Sequence, residues 1–263
     1  MEDPTPPFSR KEELCKWWLL RVDKVEIMKA PTEFSDPWGL GSNDPRPHSA
    51  RFSGPLLPVL AKAAQGYPVV LDPLAGTGRV GHLKKYGYTG RIIANELESE
   101  WARQCKSNGC DQVLIGDAAK VHFPTFHCVV TSPTYGNRMA DNFKTRRPTS
   151  MRGRYAGDLG RHPSPGSACC LYFGPEYCQT YRRIFENVVK QLSLGGRVIL
   201  NVSDFIRLYK RVGVCRWYKR LFSQELGLVF RETIPVKTKR LRSVGANTHL
   251  RVPNEVVMIF DKP

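Results

Sequence analysis

The chemistry-bearing residues of this chain stand at the ends of short apolar runs. Val69-Val70-Leu71 stops at Asp72, and the small-residue turn Pro73-Leu74-Ala75-Gly76-Thr77-Gly78 follows. Such a run reads as a buried parallel strand. Gly76 and Gly78 allow a sharp turn and a close approach of the backbone to a ligand. Arg79 to Tyr86 reads as a helix, so the turn opens a helix N-terminus, as at a cofactor site in an open α/β sheet. Ile92-Ile93-Ala94-Asn95-Glu96 is a second run ending at an acid. Glu96 lies about 20 residues beyond the turn, where an acid can accept from ribose hydroxyls. Val113-Leu114-Ile115 leads to Gly116-Asp117-Ala118, and Cys128-Val129-Val130-Thr131 leads to Ser132-Pro133-Thr134-Tyr135. A two-glycine turn by itself is also a common structural feature. Four strands that end in this way place their polar residues along the carboxyl edge of one sheet, where ligands bind.

Two of these segments resemble the amino-methyltransferases. Asp72-Pro73-Leu74-Ala75-Gly76-Thr77-Gly78 resembles their S-adenosylmethionine loop, and Ser132-Pro133-Thr134-Tyr135 their catalytic tetrapeptide, Asp/Asn/Ser-Pro-Pro-aromatic. His48-Ser49-Ala50-Arg51-Phe52 resembles the segment that helps hold the methionine end of the cofactor. The cofactor loop precedes the tetrapeptide, as in one permutation class of these enzymes, and the likeness runs over 48–204. The nearest overall resemblance is to small phage and bacterial DNA methylases. Thr134 departs from the pattern, which has a second proline there.

The resemblance implies S-adenosylmethionine as cofactor and a set of roles. His48, Arg51, Phe52, Asp72, Leu74, Ala75, Gly76 and Gly78 would line its methionine and turn side. Glu96, with Leu97 beside it, would accept from the ribose hydroxyls. Asp117, with Ala118, would accept from the adenine amine, and Ser132 would close the site. A helix cap is the plain alternative for Asp117 and a surface acid for Glu96. Catalysis would rest on Ser132, Pro133 and Tyr135. An exocyclic amine is a poor nucleophile because its lone pair is delocalised into the ring. Ser132 and the Pro133 carbonyl could each accept one of its N–H bonds, and proline fixes φ so that the carbonyl points reproducibly. Tyr135 could stack on an extruded base. Cytosine C5 chemistry would need a nucleophilic cysteine, and no Pro-Cys pair ends a strand.

The serine in the tetrapeptide favours cytosine N4 over adenine N6 as target. Ser132 to Arg138 also resembles the site of tRNA guanosine-N2 enzymes, which usually carry an N-terminal RNA-binding module. The first 47 residues are short for one, which favours DNA. A non-catalytic nucleic-acid-binding protein that kept the fold is the third reading.

The elements that must hold these residues alternate. A helix is expected over 55–65, strands over 69–72, 90–96, 112–115, 126–131 and 197–202, and helices over 79–86, 98–107 and 175–194. Tyr177, Tyr181, Ile184, Phe185, Val188 and Val189 recur at helical spacing in the last of these. This alternation implies a Rossmann-like doubly wound, mostly parallel sheet. The resemblance makes it one of the class I methyltransferase type, seven strands with the last antiparallel. Strands over 228–236 and 255–260 would complete it, and 205–226 reads as a basic amphipathic helix. Asn201 and Asp204, at the end of the fifth strand, are further site candidates. Residues 1–47 read as an extension with one helix carrying Trp17 and Trp18, followed by a loop with Trp38. Residues 48–263 read as the methyltransferase domain, with a basic insertion over about 136–174.

The charge balance points to a polyanionic partner. Forty Lys and Arg stand against 24 Asp and Glu, a formal net charge of +16. The expected contacts are Arg138, Lys144, Arg146, Arg147, Arg152 and Arg154 in the insertion, which also contains Arg161, and Lys239, Arg240 and Arg242 near the C-terminus. Eight cysteines form no Cys-x-x-Cys pair, so no zinc or disulfide framework is expected, and reduced intracellular thiols are the default. No signal pattern or bilayer-length apolar run is present, so the expected location is inside a cell, in cytoplasm, nucleoid or phage-infected host. Neither a metal nor a membrane partner is expected.

Overall fold

The computed structural model describes residues 52–136, 159, 161, 163–237, 252 and 254–263. His48 and Arg51, the tryptophan-bearing extension, Arg138 to Arg154, and Lys239 to Arg242 lie outside the described residues.

The chain begins with α1 (Leu56–Ala64), β1 (Val69–Asp72) and a 3₁₀ helix at Arg79–Tyr86. It continues through β2 (Arg91–Glu96), α2 (Ser99–Ser107), β3 (Gln112–Ile115) and β4 (Cys128–Thr131). Then come α3 (Pro175–Gln191), β5 (Arg197–Val202) and the hairpin strands β6 (Phe205–Arg207) and β7 (Lys210–Val212). The last elements are α4 (Val214–Arg220), a π turn at Leu221–Glu225, β8 (Val229–Lys237) and β9 (Asn254–Asp261).

Seven strands form one sheet in the order β3-β2-β1-β4-β5-β9-β8. The pairs from β3 through β5 are parallel, and β9 runs antiparallel to both of its neighbours. This is the doubly wound, mostly parallel sheet that the sequence implied, with the last strand reversed. Side chains alternate between two cores, as the strand period requires. Leu71, Val129, Val198 and Leu200 pack under Tyr177, Tyr181, Phe185 and Val188 of α3. Val70, Ile92, Val130 and Ile199 pack under Leu56, Leu57 and Leu60 of α1. Burial on both faces is why these strands read as continuous apolar runs.

The stretch over 205–226 corrects the sequence reading. It opens as a hairpin, with β6 and β7 paired from Phe205↔Val212 to Arg207↔Lys210. Leu208 and Tyr209 make the turn with φ of 47° and 60°. Positive φ at both central residues belongs to the type I′ hairpin turn, which normally carries Asn-Gly. For side chains with a Cβ each such residue costs about 1–2 kcal/mol, so nothing in local propensity announces the turn. Asp204 fixes the hairpin's base: its Oδ2 accepts from Arg211 Nε at 2.8 Å and its Oδ1 from the Cys215 amide at 2.8 Å. The second bond caps α4, so the helix starts only there. The first crossover also differs, being 3₁₀ rather than α. Gly78, at φ 79°, precedes it. Gly81 within it lies so close to the Asn108 carbonyl that a Cβ would stand 2.1 Å from that oxygen.

Candidate functional site

The sheet changes winding direction between β1 and β4, since β2 and β3 lie on one side of β1 and β4 and β5 on the other. In open α/β sheets ligands bind in the crevice outside the strand ends at that point. Here a crevice with about 880 Å³ of empty space, its open mouth included, lies there. Phe52, Asp72, Leu74, Ala75, Gly76, Glu96, Leu97, Asp117, Ala118 and Ser132 all line it. The structure thus brings together ten of the residues singled out by sequence.

Asp72 ends β1 and is 2% exposed. Its Oδ1 accepts from Thr131 Oγ1 at 2.8 Å and from the Leu74 amide at 3.1 Å. The first bond spans the β1–β4 divide. Burial pushes the Asp72 carboxyl up to about 7, against the pull of those two bonds, and the Glu96 carboxylate adds to the rise. Glu96 ends β2. Its Oε2 accepts from the Gly76 amide at 2.7 Å and its Oε1 from the Glu98 amide at 3.0 Å. Burial pushes it, too, up to about 7, while the amides of Glu98, Gly76 and Leu97 pull down and the Glu98 carboxylate pushes up. Gly76, at φ 55°, turns its amide onto Glu96. Asp117 accepts from the Ala119 amide at 3.0 Å and pairs with Lys120 at 3.3 Å. It therefore serves as a turn cap while lining the crevice.

Gly78 lies elsewhere. It is not part of the crevice wall, and a Cβ on it would stand 2.5 Å from Cys105 Cα. Its role is to let the turn lie flat on α2. Cys105 Sγ donates to the Gly76 carbonyl and Cys110 Sγ to that of Gly78, each at 3.4 Å.

The tetrapeptide sits on the β4 side. Ser132 and Thr134 face the crevice, whereas Pro133 and Tyr135 do not line it. Ser132 Oγ donates to Asn201 Oδ1 at 3.0 Å, and Tyr135 Oη lies 2.9 Å from the same oxygen. Tyr135 Oη is also 3.3 Å from Glu255 Oε2 on β9. Asn201 Nδ2 donates to the Val256 carbonyl at 3.3 Å, which sets the amide's orientation. Thr134 is tied to α3: its amide donates to Tyr181 Oη at 3.0 Å, its Oγ1 lies 2.7 Å from that oxygen, and Tyr177 Oη donates to its carbonyl. A proline has no amide hydrogen to give Tyr181. In place of a second proline ring, two tyrosines on α3 hold this turn.

Several wall residues escaped the sequence reading. Asn95 Nδ2 donates to the Pro73 and Gly116 carbonyls at 3.0 and 3.1 Å, joining the turns after β1 and β3. Its Oδ1 is buried and unbonded. Gly166 to Cys169 form the crevice's outer wall. Glu98, 1% exposed, anchors that wall by accepting from the Ser164 amide at 2.8 Å and from Arg161 at 2.7 Å. Arg161 also bonds Glu100 at 2.7 Å, and that pairing holds the Glu100 carboxyl down to about 2. Arg161 is thus tied to Glu98 and Glu100 within the fold. Its Glu98 partner gave no signal, being one acid among several near the start of a polar helix. Among the described residues no group of three or more His, Cys, Asp or Glu is placed to hold a metal ion, and no helix is long and apolar enough to cross a membrane.

No protein-family model matches the chain, and no curated protein does. Among solved structures, it is similar to TrmN from Thermus thermophilus at 17% identity and a TM-score of 0.48, over 79% of this chain and 48% of that one. The chain therefore spans about half the length of that protein. It is also similar to the N-methyltransferase NodS from Bradyrhizobium japonicum WM9 in complex with S-adenosyl-L-homocysteine, at 12% identity and a TM-score of 0.46, over 79% of this chain and 84% of that one. A TehB-like SAM-dependent methyltransferase from Corynebacterium glutamicum is similar at 14% identity and a TM-score of 0.43, over 79% and 87% of the two chains.

Proposed function

We propose that the chain is an S-adenosylmethionine-dependent methyltransferase that modifies the exocyclic amine of an extruded base in DNA, cytosine N4 before adenine N6. The observation that carries this reading is the crevice at the β1–β4 divide, shared by the acids Asp72 and Glu96 and by Ser132 of the tetrapeptide. The wall is rich in acceptors: Asp72, Glu96, Asp117 and the unbonded Asn95 Oδ1. Those acceptors suit a cofactor with hydroxyl and amino donors and a positive sulfonium. When bound, S-adenosylmethionine supplies an electrophilic methyl group.

The chain's own residues do the rest. Glu96 takes ribose hydroxyls on the lone pairs its amide partners leave open. Asp72 sets a buried negative charge below the turn, and Asp117 accepts from the adenine amine. On the β4 side the Ser132 hydroxyl and the Pro133 carbonyl accept the two N–H bonds of the target amine, which localises its lone pair. Asn201 holds Ser132 Oγ for this, and Tyr135, steadied through its hydroxyl, offers its ring to the base. Alignment of this kind is worth up to roughly 7–11 kcal/mol. His48, Arg51, Arg138, Lys144, Arg146, Arg147, Arg152, Arg154, Lys239, Arg240 and Arg242 keep the roles read from the sequence, within a domain over 48–263. Expression in a methylation-free bacterial host, with nucleoside mass spectrometry of its DNA, tests the reading. N4-methylcytosine or N6-methyladenine is the expected product. Unmodified DNA together with N2-methylguanosine in RNA overturns it.

A further inference from the structure

The β6–β7 hairpin projects from the carboxyl edge of the sheet next to the tetrapeptide. Asn201, bonded to Ser132, and the first residue of the hairpin are separated only by Val202, Ser203 and Asp204. The six residues from Ser203 to Leu208 keep the tip within roughly 20 Å of the end of β5. Its root is rigid: Phe205 and Ile206 are buried, and Asp204 ties both Arg211 and α4. The tip is the opposite. Leu208 is 75% exposed and Tyr209 66%, in a turn whose backbone favours Asn-Gly. Exposed Arg207 and Lys210 flank them, and the Arg207 guanidinium lies 5.4 Å from the centre of the Tyr172 ring. Two large apolar side chains held out to solvent on a strained turn gain nothing for the fold. Such departures from local preference cluster where a surface has work to do.

We propose that this tip is a contact element for the DNA substrate. Tyr209, backed by Leu208, stacks on a base exposed beside the target, while Arg207 and Lys210 meet the flanking phosphates. The occupant follows from charge: cationic side chains around an aromatic tip, on a chain of net charge +16, fit a polyanion with π-faced bases. The inference rests on the DNA reading above and names a part of the substrate surface that the cofactor crevice does not include.

The test compares the full-length protein with L208N/Y209G and with Lys210→Ala. The first variant installs the residues that the turn prefers, so it is expected to fold and to melt at a higher temperature than the parent. Anisotropy titrations use a fluorescein-labelled duplex, its single strand, and RNA of the same sequence. The expected result is that L208N/Y209G binds DNA on the order of 10-fold more weakly, with an unchanged salt slope. Lys210→Ala should flatten that slope by roughly 0.9. S-adenosylhomocysteine affinity should be unchanged in both. Equal DNA affinity of parent and L208N/Y209G overturns the contact while leaving the proposed enzyme standing. A change of sedimentation from dimer to monomer, with DNA affinity kept, also overturns it and assigns the tip to self-association. A parent that binds RNA alone, or neither nucleic acid, removes the DNA reading itself.

Discussion

Asp72 and Glu96 are both buried carboxyls raised to about 7, and burial is the first cause for each. In the unfolded chain such groups titrate near about 3.9 and 4.3. The folded protein therefore holds their protons more tightly than the unfolded chain does. Stability of the ligand-free protein should fall as pH rises from about 4 to about 7 and level off above. Urea melts across that range check it; a flat profile counts against the buried pair. Hydroxyl donors and a positive sulfonium favour the ionised acids, so cofactor binding should release protons near pH 6 and tighten as pH rises towards 7. Calorimetry in two buffers of different ionisation enthalpy reads the release directly. On the β4 side, Ser132→Ala and Asn201→Ala should lose most turnover while keeping cofactor affinity. Thr134→Pro, nominally a return to the commoner tetrapeptide, should instead destabilise by about 1–2 kcal/mol, because Tyr181 Oη loses its amide partner. Ser132 and Tyr135 were singled out through the resemblance of their tetrapeptide, and the structure brings both hydroxyls to Asn201 Oδ1. The tyrosines that brace Thr134 were read only as core, since periodicity reports a buried face and not the hydroxyls at its end.

At the scale of elements, the turn after β1 is held from behind by α2 through Cys105, and Gly166 to Cys169 wall the crevice from outside. Gly78 must stay side-chain-free because Cys105 occupies the space a Cβ would need. Gly78→Ala should lower stability by about 2–3 kcal/mol and weaken cofactor binding with it, measured by denaturant melts and titration. The wall depends on the Glu98–Arg161 pair, whose carboxylate is buried. Arg161→Ala leaves that charge unpaired and is expected to weaken cofactor binding several-fold without abolishing turnover at saturation; a KM-against-kcat split shows it. The hairpin of β6 and β7 was the element most misread. Its apolar residues fit a helical face, and its turn carries neither glycine nor asparagine. Asp204, bonded to both the second strand and the following helix, selects the hairpin instead.

Over the whole molecule, the excess of cations is the property that bears on substrate. Arg146→Ala combined with Arg147→Ala should weaken nucleic acid binding and flatten its salt dependence by about 1.8, near 0.9 for each phosphate left without its cation. An unaltered slope would return the insertion to plain solvated surface. The sheet puts β9 between β5 and β8, so the start of the last strand lies at the carboxyl edge of the parallel ones. That placement is what delivers Glu255 to Tyr135 from 120 residues away along the chain.

The sequence alone determined the winding of the sheet and the residues along its rim, because strand burial and strand-end acids are local patterns that any reader of periodicity can follow. Only the tertiary structure decided how those residues are used. Whether an acid faces a ligand, caps a turn as Asp117 does, or anchors a wall as Glu98 does depends on groups far off in sequence. Hydrogen-bond partners of that kind are set by the crossing of elements in space, and no spacing along the chain encodes them.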